Sequence, residues 1–382
     1  MPQVSKKIEF FTESVIRLMT RLSLQYNAIN LSQGFPDFDP PEDLLNALRN
    51  VALNGPHQYA ITWGAENFRK ALAEKQSKFM GLDINPEENV VVTCGSTEAM
   101  ISAVMTVCNP KDKVVIFSPF YENYTADTIL SDAVPIYVPL YPPEFNFNIQ
   151  ELENAFKKKP KALILCNPSN PSGKVFTIEE LKIIADFAIK YDTFVITDEV
   201  YEHIVYPPHQ HTYIASLPGM FERTISCSSL SKTYSITGWR LGYVIGCKEV
   251  IDGVKKVHDF LTVGAPAPLQ EAAIAGLKMP DNYYKELAIL YQRKRDLFLE
   301  CLEKANLSYT EPQGAYYVLV DIEKFGSKSD MEFCKWLIKE IGVAAVPGSS
   351  FFRENIQKYI RFHFAKKEET LIEAGKRLLK LK

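Results

Sequence analysis

The sequence lacks the common glycine-rich phosphate signatures. Its 18 glycines never fall two positions apart, so GxGxxG is absent, and with it the fingerprint of a dinucleotide-binding turn. GxxxxGK[ST] is missing too, which excludes a P-loop. There is no CxxC and no HExxH. The seven cysteines stand singly at 94, 108, 166, 227, 247, 301 and 334, so no bound metal is expected. Scattered single cysteines read as reduced residues of a cytoplasmic protein. His209 and His211, in the polar loop PPHQHTY, are expected in solvent. No apolar run approaches the ~20 residues of a membrane span. Charges interrupt the opening MPQVSKKIEFFTESV, which therefore does not read as a signal peptide. With 43 basic and 46 acidic residues there is no basic field to draw nucleic acid or membrane.

What is present is a chain of 382 residues, 46% hydrophobic and 12% aromatic, long enough for two or three units with large cores. From Asp43 to about Lys78 the spacing predicts helices. Then short β-branched runs alternate with helical stretches. NVVVTC (89–94), KVVIF (113–117), PIYV (135–138), KALILC (161–166), TFVIT (193–197) and RTISCS (223–228) read as strands. Apolar strands separated by helices mark a mostly parallel sheet covered on both faces. After about residue 265 the pattern becomes α+β: one long helix over about 270–305, then YYVLVDI, VAAVPG, YIRFHF and a closing helix. Two prolines at 266 and 268 place a domain junction near Ala265–Pro268.

Open sheets bind ligands at the carboxyl ends of their strands. Gly95-Ser96-Thr97 follows the first run and opens a helix, where free N–H groups suit a phosphate. A plain turn with Thr97 as N-cap fits these residues as well. Asp198, after TFVIT, is either a helix N-cap or ion-pair residue, or a carboxylate with a buried partner. Lys232 is the only lysine between Lys190 and Lys248. It sits among hydroxyls in SSLSKTYSITGWRLG, where partial desolvation would make it a nucleophile. Arg240, eight residues on, is fit to clamp a phosphate.

The segment SxxKxxxxxGWRxG, with NPSNPSG (167–173) and DEVY (198–201) before it, resembles the fold-type I pyridoxal-phosphate aminotransferases. The resemblance runs from NLSQGFPDF (30–38) to YIRFHFAKKEETL (359–371). It is strongest to the methionine and kynurenine/glutamine branch. It implies an α/β large domain (43–266) with a mostly parallel seven-stranded sheet between helices. A smaller α+β domain (267–382) and an N-terminal arm (1–42) would complete the fold. It also implies pyridoxal 5′-phosphate as cofactor, with Lys232 joined to its aldehyde and shuttling the α-proton. Asp198 would hold the pyridine nitrogen protonated, and Asn170 and Tyr201 would bind the phenolate oxygen. Ser96, Thr97, Ser229 and Arg240 would take the phosphate, while Tyr121 would stack on the ring. Tyr59 would reach the partner's site, making a homodimer obligatory. Arg361, assisted by Asn170 and the Gly34 backbone, would grip the substrate carboxylate. Ile16 stands where kynurenine-type relatives present a tryptophan. The expected activity is transfer of an amino group from a neutral amino acid to a 2-oxo acid. A β-lyase acting on cysteine S-conjugates and a non-catalytic binding module are the alternatives.

Overall fold

A computed structural model gives the structure over residues 2–327 and 329–381. The chain opens with α1 (Val15–Gln25), β1 (Ile29–Asn30), α2 (Glu42–Asn54) and α3 (Glu66–Met80). Next come β2 (Val90–Thr93), α4 (Ser96–Val107), β3 (Lys113–Ser118), α5 (Asn123–Leu130), β4 (Val134–Tyr141) and β5 (Asn146–Phe147). They are followed by α6 (Ile149–Phe156), β6 (Ala162–Cys166), α7 (Ile178–Lys190), β7 (Phe194–Asp198), β8 (Thr224–Ser229) and β9 (Gly242–Ile245). The last third holds α8 (Lys248–Thr262), α9 (Ala267–Leu277), α10 (Asp281–Lys304), β10 (Tyr317–Asp321) and α11 (Asp330–Trp336). It ends with β11 (Val343–Ala344), β12 (Val346–Pro347), β13 (Tyr359–His363) and α12 (Glu368–Leu378).

Strands β2 to β9 form one sheet in the order β2-β9-β8-β7-β6-β3-β4-β5. The run from β8 through β7, β6 and β3 to β4 is parallel, while β9 lies antiparallel between β2 and β8. The sheet has eight strands rather than the expected seven. The extra one is β5, two residues that pair antiparallel with the outer end of β4. Period-2 alternation fixes which side chains face which layer. Val114 and Ile116 pack beneath α4 and α8, while Val115 and Phe117 turn to the face covered by α6 and α7. Each such fully buried aliphatic contributes about 1.5–3 kcal/mol of transfer free energy.

A second core is built by α1, α10, α11 and α12 around the antiparallel sheet β10-β13-β12. The pair β1–β11 joins the N-terminal segment to it. The helix expected over 270–305 is two helices, because Pro280 lacks the N–H that would continue α9. Helix α9 packs on α2 and α3, and α10 runs from Tyr284 in that same cluster to Phe298 and Leu302 in the second core. Among the described residues no helix is long and apolar enough to cross a membrane, and no His/Cys/Asp/Glu group is placed to hold a metal. One expectation fails locally: both ring nitrogens of His211 are buried, with the imidazole edge-on to Tyr213 at 4.4 Å between centroids. Burial holds its pKa down at about 4.

Candidate active site

The parallel register aligns Cys166 and Asp198, which end β6 and β7, with Cys227, two residues short of the carboxyl end of β8. The loops that leave these ends carry Asn170, Tyr201 and Lys232. Asp198 is buried, its Oδ2 accepting from the Tyr124 hydroxyl at 2.8 Å and its Oδ1 from the Val200 amide at 3.4 Å. No helix begins at Asp198, and among the described residues it makes no salt bridge, so neither structural reading of this carboxylate holds. Burial raises its pKa. The half-buried Lys232 donates from Nζ to the Gly34 carbonyl at 3.1 Å, beside the Tyr316 ring. Burial and then the charge of Arg240 bring its pKa down to about 8, with Asp198 opposing. An amine in that range is neutral often enough near neutral pH to act as nucleophile and base.

At one side of Lys232 stands the start of α4. Gly95 is its N-cap, at φ +80°, and no side chain caps the helix. Thr97 is exposed and inside the first turn, so it is not the N-cap. Glycine is required at 95: a Cβ there would collide with the Arg240 guanidinium. Arg240 itself holds φ +54° and donates to the Thr237 carbonyl at 3.0 Å and the Cys94 carbonyl at 3.4 Å. Among the described residues no carboxylate pairs with it. The Ser96 hydroxyl is buried with no partner among the described residues, and the Ser229 hydroxyl accepts from the Ser231 amide at 3.3 Å. Helix N–H groups, hydroxyls and an unpaired guanidinium form a donor set that fits a phosphate dianion.

On the other side, Arg361 lies in the middle of β13, fully buried. It donates from Nη1 to Asn170 Oδ1 at 2.6 Å and from Nη2 to the Ser32 carbonyl at 2.7 Å. The guanidinium lies between the Tyr317 and Phe351 rings, 4.2 and 4.6 Å from their centroids. Among the described residues its Nε has no partner. Ile16 packs on Val346 and Phe351, with Tyr121 alongside. Tyr121 meets Tyr124 edge-on at 5.8 Å, and the Tyr201 and Tyr317 hydroxyls are 2.8 Å apart. The Gly34 carbonyl also accepts from the Tyr316 hydroxyl at 2.8 Å.

Tyr59 stands apart from this cluster, on the loop between α2 and α3, 88% exposed. Five side chains of the site went unread in the sequence: Tyr124, Asp127, Tyr316, Tyr317 and Phe351. Asp127 is buried with Oδ2 unpartnered, and burial together with Asp198 pushes its carboxyl up to about 8. The only available signal was the three-residue spacing of Tyr124 and Asp127, which puts both on one face of α5.

The family model for aminotransferase class I and II matches residues 26–378. Methionine aminotransferase of Escherichia coli strain K12 is 35% identical, over 100% of this chain and 97% of its own. Kynurenine–oxoglutarate transaminase of Dictyostelium discoideum is also 35% identical, over 99% of this chain and 96% of its own. The solved structure of N-succinyldiaminopimelate aminotransferase from Mycobacterium tuberculosis superposes with a TM-score of 0.96 at 34% identity, covering 100% of both chains. The protein is a member of the class I and II aminotransferases, pyridoxal-phosphate enzymes of fold type I.

Proposed function

We propose that this aminotransferase takes uncharged amino acids with long side chains as donors. Methionine comes first, then phenylalanine, tyrosine, leucine, glutamine or kynurenine, and a 2-oxo acid is the acceptor. The observation that carries the reading is the surround of Arg361, whose guanidinium is held by Asn170 and Ser32 and walled by Phe351, Tyr317 and, beyond Phe351, Ile16. A planar fork so fixed suits the α-carboxylate, and the apolar wall beside it suits an uncharged chain. A distal carboxylate would be desolvated against that wall, at several kcal/mol.

Bound pyridoxal phosphate supplies the electron sink for the donor's α-carbon. The residues around it divide the remaining work. Lys232 Nζ would hold the aldehyde carbon with loss of water until the donor's amine displaces it, and the freed amine would then carry the α-proton from the donor carbon to that cofactor carbon. Asp198, whose carboxylate oxygens accept from Tyr124 and Val200, would hold the proton on the pyridine nitrogen. Asn170 and Tyr201 would bind the ring oxygen, and Tyr121 would cover the ring face. Ser96, Thr97, Ser229 and Arg240 hold the phosphate. Gly34 closes the carboxylate end with its backbone. Class I and II enzymes are generally dimeric, and the exposed Tyr59 suits a contact with the partner subunit's phosphate. Seven free cysteines suit a cytoplasmic enzyme. The test is an oxo-product assay over a panel of donors. Methionine and phenylalanine should lead; a panel led by aspartate or N-succinyldiaminopimelate would overturn the assignment.

A further inference from the structure

A buried ion pair outside the site joins two regions that the proposed chemistry needs together. His258, on α8, is fully buried. Its Nδ1 faces Glu98 Oε1 at 2.6 Å and its Nε2 faces the Thr62 carbonyl at 2.8 Å. The Thr62 carbonyl accepts, and so does an ionised Glu98, so against that carboxylate both ring nitrogens carry hydrogen. A neutral imidazole has a single N–H and would leave one contact as two acceptors face to face. Burial pulls the His258 pKa down, but the hydrogen bond and charge of Glu98 outweigh it and the net shift is upward. Burial likewise raises Glu98, and His258 brings it below the ordinary carboxylate value. The two shifts agree on a charged pair.

Each end of the pair leads somewhere. Glu98 Oε2 accepts from the Cys94 amide at 2.5 Å, and Oε1 also takes the Thr262 hydroxyl at 2.8 Å. Cys94 immediately precedes Gly95 and Ser96, and its carbonyl accepts from Arg240. At the other end, Thr62 sits three residues after Tyr59 and next to Trp63. The charged groups acting on His258 are Glu98 from α4 and Asp259, next to it on its own helix, and the Thr262 hydroxyl lies 3.3 Å from Nδ1. Arg240 stands beyond Cys94, and Lys255 lies on the Trp63 ring at 5.2 Å.

We infer that His258 is a positioning residue: as imidazolium it ties the loop of Tyr59 to the helix start that takes the cofactor phosphate, and losing its proton releases that loop. The inference rests on the reading in which Tyr59 crosses to the partner's phosphate. Full-length apoprotein tests it, as wild type and as His258→Gln, Glu98→Gln, Trp63→Phe and Tyr59→Phe. Tryptophan emission is followed from pH 6 to 10, and pyridoxal-phosphate affinity is measured at pH 7 by equilibrium titration. The wild type should show a transition above pH 6.5 that is missing from Trp63→Phe and from His258→Gln. His258→Gln should bind the cofactor about tenfold more weakly, the scale of one lost charge-assisted hydrogen bond. Glu98→Gln should move the transition to lower pH, and it carries the test should His258→Gln fail to fold. Flat wild-type emission, a transition that persists in His258→Gln, or unchanged affinity in that variant overturns the inference. Unchanged affinity in Tyr59→Phe beside an intact transition keeps the clamp and overturns the cross-subunit reading alone.

Discussion

The Tyr124 hydroxyl donates to Asp198 Oδ2 at 2.8 Å, joining the first turn of α5 to the end of β7 inside the core. Burial works against the charge of Asp198 and raises its pKa, and this bond is the largest influence opposing that rise. Tyr124→Phe should therefore keep the fold and lower kcat about tenfold, with KM for the donor little changed. A pH titration of the bound cofactor's absorbance checks the cause, since the mutant's ring nitrogen should lose its proton at lower pH.

Asp198→Asn should retain pyridoxal phosphate and lose most of the rate, because an amide cannot hold the pyridinium proton. Were Asp198 only a structural acceptor for the Val200 amide and the Tyr124 hydroxyl, Asn would be almost harmless, since its side-chain oxygen accepts as well. Single-turnover kinetics of the loaded mutant separate the two; near-wild-type turnover would return Asp198 to a structural role.

Lys232 sets a pH dependence for the apoprotein. Its amine is depressed to about 8 in the fold, mainly by burial, against 10.5 ordinarily. Between these values the unfolded chain binds more protons than the folded one, so stability rises with pH across that window. The apoprotein Tm should climb from pH 8 toward 10 relative to Lys232→Met. Parallel Tm curves for the two proteins would contradict the buried amine.

Arg361→Lys should raise KM for every donor alike, by about tenfold or more. A lysine cannot present the planar fork that Asn170 and Ser32 orient, and all amino acids share the carboxylate it would bind. A loss confined to some donors would move Arg361 from the common carboxylate to side-chain selection.

Much of this site was legible because its residues sit in loops next to apolar strands. Lys232, alone among hydroxyls after RTISCS, and Asp198, closing TFVIT, both announce themselves by a polar group where burial is imminent. Arg361, flanked by apolar residues in YIRFHF, did so as well. Tyr124 and Phe351 did not, since an aromatic after a strand is usually core, and only tertiary contact puts these two on Asp198 and Arg361. The partnership of His258 with Glu98 spans 160 positions and leaves no local trace. In the fold, β9 was hidden in the polar-rich segment after Lys232, and the break at Pro280 was masked by helical spacing on both sides. The burial of His211 was obscured by the polar loop around it.

The central claim is that Lys232 is the residue joined to the cofactor. Borohydride reduction of the holoenzyme, followed by peptide mass mapping, tests it most directly. The pyridoxyl mass should fall on the peptide containing Lys232 and vanish in Lys232→Ala, which should keep its fold by circular dichroism, bind the cofactor reversibly and transfer no amino group. The adduct on any other lysine, or transfer near the wild-type rate in Lys232→Ala, would contradict the account.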